Sequence, residues 1–199
     1  MKIWFAKKLH KVAYLWWSNW SKVYRLIYHS KYRKVVLEKN MSLGEVEDGL
    51  KRLRWSPDSW KELWDACGSP KRVQHELDEM ASGKPWPHIQ MDCDDFAIWA
   101  ANVIKSTFYP RVFTFSWIAK DGSMKGHAMC LLRQKDGRIF HVGNWKTSSP
   151  YNNLREACEH ILLQRSAKEA ICWGIFDKDL KLLSSGSGLP SEKLADLHF

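Results

Sequence analysis

Apolar residues recur at three- and four-residue steps over residues 3–28: Phe5, Leu9, Val12, Trp16, Trp20, Val23 and Ile27. Lys7, Lys11, Ser18, Lys22 and Arg25 make a separate polar row. Two such rows predict one amphipathic helix. From 42 to 83 the helical spacing resumes and is broken. Pro57 precedes the helix-like DSWKELWDAC, Gly68-Ser69-Pro70 stops it, and KRVQHELDEMAS starts another helix. Pro85 and Pro87 exclude helix from GKPWPH, residues 83–88. The apolar segment after Cys93 predicts a helix over 93–105. From 111 onward the pattern alternates, which predicts strands over RVFTFSWIA, HAMCLLR and IFHVGNW, joined by turns at KDGSMKG and KDGR. A helix is expected from Pro150 to about Lys168, then a strand over AICWGIF. SSGSGLPSEKLADLHF, residues 184–199, reads as a loose tail. This element order is that of an α+β fold. It divides into a helical arm over 1–40, a body over 41–183 and the tail.

Charge sharpens the division. Residues 1–40 hold ten Lys and Arg against Glu38 alone, so they carry the entire net charge of +9. The rest of the chain holds 21 basic and 21 acidic residues. A neutral body with a basic arm points to an anionic partner, either an acidic membrane surface or nucleic acid, met through residues 1–40. The arm's Trp-rich apolar row and basic polar row are the composition of a helix lying in a membrane interface. The plainer alternative is a helix packed on the body with its charges solvated. Balanced charge in the body argues against a large nucleic-acid footprint beyond the arm. No apolar run approaches the roughly 18 residues of a membrane span, and no secretory signal is evident. A cytoplasmic protein is expected, with a peripheral position at a membrane as the variant.

Five cysteines, Cys67, Cys93, Cys130, Cys158 and Cys172, are widely spaced and include no CxxC pair. That usage fits free thiols in a reducing compartment. Cys93 stands apart because QMDCDDFA places it in a first helical turn. Asp92 is the predicted N-cap, with Asp95 at the capping-box position. Unpaired backbone N–H groups and the helix dipole favour a thiolate there. A working nucleophile also needs a base and something to orient the base.

His127 and Asn144 meet that need if Asp136-Gly137 closes a two-residue hairpin. Lys135 would then face Arg138, and Met129 would face Asn144. His127 and Asn144 become diagonal neighbours on one sheet face, beside Met129, Leu131, Phe140 and Val142. His141 falls on the opposite face by alternation, which removes it as the base. Gln90 is a candidate oxyanion donor beside the Cys93 backbone N–H. Trp86, His88 and Trp145 are candidates to line the cleft. Cys, His and Asn make a poor zinc set, so neither metal nor cofactor is expected.

DCDDFA followed by GHAMCLL and HVGNW resembles the transglutaminase-like cysteine peptidases of bacteria and their viruses, a branch of the papain-like fold. The resemblance spans roughly residues 50–150. It implies a nucleophile helix packed on an antiparallel sheet, with Cys93 as nucleophile, His127 as base and Asn144 as orienter. Many relatives show Asp-Asn where this chain has Gly143-Asn144. Asn144 can fix the ring but adds no charge. The expected activity is acyl transfer through a Cys93 thioester on a protein or peptide substrate, ending in hydrolysis or cross-linking. The alternatives are an inactive papain-like binding protein and a protein that acts through its basic arm.

Overall fold

The computed structural model describes residues 3–53, 67–84, 91–144 and 147–191. The expected helix over DSWKELWDAC lies almost wholly outside them. Five helices are described: α1 (Ile3–Tyr28), α2 (Leu43–Arg52), α3 (Pro70–Ala81), α4 (Cys93–Val103) and α5 (Leu154–Gln164). Five strands accompany them: β1 (Tyr109–Ile118), β2 (Met124–Arg133), β3 (Ile139–Val142), β4 (Glu169–Phe176) and β5 (Leu182–Ser187). The strands form one antiparallel sheet in the order β3-β2-β1-β4-β5. The architecture is therefore α+β.

Alternation along the strands builds two cores. Phe113, Phe115, Met129, Leu131, Ile139, Trp173 and Ile175 cluster with Leu154, Cys158 and Ile161 of α5. Val112, Ala128, Cys130, Leu132, Val142 and Phe176 join Phe96, Ala97, Trp99, Ala100 and Ala101 of α4 on the other face. Small residues on β2 let α4 come close, and α4 is buried nearly all round. Trp99 anchors it from behind, donating Nε1–H to Gln74 of α3 at 3.2 Å. Gly49 of α2 gives that indole its room, since a Cβ there would stand 2.6 Å from the ring.

Helix α1 shares the α4 side of the sheet, lying against β4 and β5. The surface beneath it is small: Thr114, Ser116, Cys172 and Gly174 alternate toward it. Tyr14 donates to Cys172 Sγ at 3.5 Å and crosses Phe176 edge-on at 5.7 Å between centroids. Ser18 donates to the Leu180 carbonyl, and Ser21 accepts the Cys67 N–H at 3.0 Å. Arg25 donates to the Cys67 carbonyl and to Cys67 Sγ, each at 3.1 Å. Lys7 pairs with Glu169. The helix thus packs on the body through Tyr14, Trp17, Ser18, Ser21 and Arg25. Leu9, Val12, Trp16, Val23 and Ile27 of the apolar row stay exposed. The small-residue sheet face accepts Ser18 and Ser21 at close range and takes the Tyr14 and Trp17 rings beside them, against Gly174 and Phe176.

Two further expectations are corrected. The tail does not begin at 184: residues 182–187 form β5, paired to β4 from Phe176↔Leu182 to Cys172↔Ser187. Gly186 suits that place, since a Cβ on it would lie 2.5 Å from the Trp173 ring. Residues 192–199 lie outside the described ones. The β2–β3 hairpin is not closed by two residues. Gln134 N–H donates to the Arg138 carbonyl and Gly137 N–H to the Gln134 carbonyl, leaving a three-residue loop. Gly137 takes φ 91° in it, a backbone conformation that costs glycine least. Cys130 consequently faces Val142, and Leu131 faces His141. The register differs by one residue from the two-residue case, which exchanges the faces of β3 relative to β2.

Candidate active site

Asp92 caps α4, accepting the Asp94 N–H at 3.2 Å. Asp95 does not complete a capping box. Its carboxylate is buried, accepts the Gly68 N–H at 2.7 Å and lies 3.7 Å from Arg72. A Cβ on Gly68 would meet Asp95 Oδ1 at 2.1 Å, so glycine is required there. Cys67, next to it, donates Sγ–H to the Asp94 carbonyl at 3.4 Å. The Asp95 carboxylate and the Asp94 main chain thus brace the helix start, and the same bracing runs through Cys67 to Arg25 of α1.

Cys93 is the first residue of α4. It is half-buried, whereas Cys67, Cys130, Cys158 and Cys172 are buried. Its Sγ accepts the N–H of Ala128 at 3.3 Å. That bond adds a fixed donor to those of the helix start, and donors to sulfur stabilise the thiolate over the thiol. Burial and a neighbouring acid push Cys158 up, burial alone does so for Cys130, and burial raises Cys67 to about 12. Those three thiols are held protonated.

His127 precedes Ala128, so its main chain is brought to Cys93. Its side chain follows the alternation of Met129 and Leu131, toward the α5 face. Burial lowers the ring to about 4, helped by Arg165 and His141 and opposed by Asp92. The imidazole is therefore neutral at pH 7. His141, opposite Leu131, shares this face of the sheet, so its exclusion on the basis of alternation does not hold. Its ring stacks on Tyr151 at 5.7 Å, and the Tyr151 hydroxyl bonds His160 Nδ1 at 2.5 Å.

Asn144 lies two residues beyond β3. It lies in a bend after the last β2–β3 pair, Cys130↔Val142, so the strand pairing that would make it the diagonal neighbour of His127 is not formed. The Asn144 Oδ1 is buried and has no hydrogen-bond partner among the described residues. Val142 bridges to Thr147, which folds the chain back around Asn144. Glu47 of α2 braces this return by accepting the Thr147 N–H at 2.6 Å, and that bond lowers its own carboxyl.

The structure brings together the Cys93 sulfur and the Ala128 main chain. The His127 ring follows the other face of the sheet, and no strand pairing sets Asn144 beside it. Gln90, Trp86, His88 and Trp145 lie outside the described residues. Two contributors went unread in the sequence: the Ala128 N–H and Arg165 near the His127 ring. Asp92 was read only as the cap of the helix, and His141 only as a base set aside, whereas both act on the His127 ring. Among the described residues no group of three or more His, Cys, Asp or Glu is placed to hold a metal ion. Comparison of the chain with protein-family models, with curated proteins and with solved structures finds no match.

Proposed function

We propose that this protein is a cysteine-dependent acyl-transfer enzyme with a papain-like, transglutaminase-like core. The observation that carries the reading is Cys93 itself: the one cysteine that is not buried, heading a helix on an antiparallel sheet, with the Ala128 N–H on its sulfur. In this reading Sγ attacks the substrate carbonyl and the thiol proton passes to His127, a transfer that requires the His127 ring to leave the α5 face and come within hydrogen-bond reach of Cys93. The same proton leaves with the departing amine as the thioester forms. Water or an amine then resolves the thioester. A neutral His127 fits the role of acceptor during attack, not that of a standing imidazolium partner. Asn144 Oδ1 is buried without a partner among the described residues, and in this reading it accepts the imidazole N–H once the ring has moved to Cys93.

A second reading is favoured by one observation. The sheet register places the His127 ring on the α5 face, away from α4. A domain that keeps the arrangement but binds without chemistry would look the same.

Exposure to a p-nitrophenyl ester, with mass detection of the adduct, separates the two. The enzyme reading expects a Cys93 thioester that hydrolyses. His127→Ala should slow its formation by about a hundredfold or more, the usual scale of base catalysis. Asn144→Ala should slow it less. Unchanged Cys93 acylation in His127→Ala would favour the binding protein.

A further inference from the structure

Among the described residues the outer face of α1 stays exposed. Val12, Trp16, Leu26 and Ile27 are 62%, 52%, 63% and 59% exposed, and Leu9 and Val23 lie beside them. From Leu9 to Ile27 these side chains make a stripe roughly 27 Å long at 1.5 Å per residue. A contiguous apolar patch on this scale marks an interaction site. The face cannot be an accident of a helix free to roll. Ser18, Ser21, Arg25 and Tyr14 lock the other side to the body by the hydrogen bonds given above.

Charge identifies what the stripe meets. Lys8, Lys11 and Lys22 are exposed along it, and Lys31, Arg33 and Lys34 are exposed just beyond its end. The helix contains no acidic residue. Trp16 and Trp20 stack at 6.2 Å between centroids, and an indole pair among lysines suits the boundary between headgroups and acyl chains. Among the described residues no helix is long and apolar enough to cross a membrane. A second copy of the chain would bring the same positive arm against this one. Nucleic acid would use the lysines but gain nothing from six exposed apolar side chains.

We infer that the outer face of α1 is a docking surface for an acidic lipid membrane. The helix lies flat in the interface, with Leu9, Val12, Trp16, Val23 and Ile27 inserted and the lysines on anionic headgroups. The body is held on the far side by the serine face of α1. This inference does not rest on the chemistry of Cys93.

The test uses the full chain with vesicles of phosphatidylcholine alone and with phosphatidylserine added. Binding to the acidic vesicles is expected, with a blue shift of tryptophan emission that persists in moderate salt. Lys22→Gln should weaken binding about fivefold, the equivalent of roughly 1 kcal/mol per basic residue near an acidic surface. Val12→Gln with Ile27→Gln should remove the blue shift while leaving the melting curve unchanged, because both side chains face outward. Absence of binding to acidic vesicles would overturn the inference. So would equal binding to the uncharged vesicles, concentration-dependent dimers abolished by the Gln pair, or steeply salt-sensitive binding to duplex DNA with none to vesicles.

Discussion

Helices α1 and α4 lie on the same side of one sheet, and they use hydrophobic residues in opposite ways. Helix α4 buries Phe96, Ile98, Trp99 and Val103. Helix α1 turns Val12, Trp16, Leu26 and Ile27 outward and buries Ser18 and Ser21. The difference lies in what each helix meets. Helix α4 is covered on every side, by Ala128, Cys130 and Leu132 of β2 in front and by α3 behind. Helix α1 meets Thr114, Ser116, Cys172 and Gly174, where a Cβ on Gly174 would already stand 3.1 Å from the Tyr14 ring. An amphipathic pattern tells which residues share a face. It does not tell which face is inside, because that depends on the shape of the surface it packs on.

Acid should loosen the attachments of both regions, and it gives the largest expected effect. His29, just beyond α1, accepts the Ser69 N–H on Nδ1 at 2.9 Å, which requires that nitrogen unprotonated. Burial, then Arg72, Arg25 and Lys31, lower His29 to about 4. His127, beside the start of α4, is lowered to about 4 as well. In the unfolded chain both titrate near 6.5. The unfolded state therefore binds more protons between these values. The stabilisation is fully present above pH 6.5 and is lost as pH falls toward 4. The loss is of the order of 3 kcal/mol per ring as an upper figure. Urea midpoints measured from pH 7.5 to 4 should fall through this window; a flat profile would mean that neither ring is buried neutral.

Truncation tests the comparison directly. Phe96→Ala should cost about 3–5 kcal/mol, as for a large side chain removed from a packed core. Leu26→Ala should stay within about 0.5 kcal/mol, as for a surface site. Equal losses from the two, in the same denaturant series, would mean that the outer face of α1 is covered in the free protein.

The sequence made the element types legible where the pattern was strong. The 3.6-residue rows marked α1, and alternation marked β1, β2 and β3. Its blind spots have physical causes. KDGR serves a two-residue or a three-residue hairpin equally well, since Gly137 can take a positive φ in either. The Gln134 N–H bond to the Arg138 carbonyl decides for three residues and shifts β3 by one residue against β2. Strand β5 has no alternating apolar pattern to read in LLSSGS; it forms because β4 offers a hydrogen-bonding edge and Trp173 lies against Gly186. At the site, Cys93 and its cap were readable from local chemistry. The Ala128 N–H on its sulfur was not, because backbone donors carry no residue signature. The electrostatic surroundings of His127 depend on Arg165 and His141, which approach only through the fold.

The central claim, that Cys93 is the nucleophile, is tested most directly by the pH dependence of its alkylation. Iodoacetamide labelling with peptide mapping follows all five thiols in one experiment. Cys93 should label first at pH 6.5, with a rate midpoint below the roughly 8.5 of a free cysteine. Cys67, Cys130 and Cys158 should stay unlabelled while the protein is folded, since burial holds them protonated. Earlier labelling of Cys67 or Cys158, or a Cys93 midpoint at or above that of a free thiol, would contradict the account.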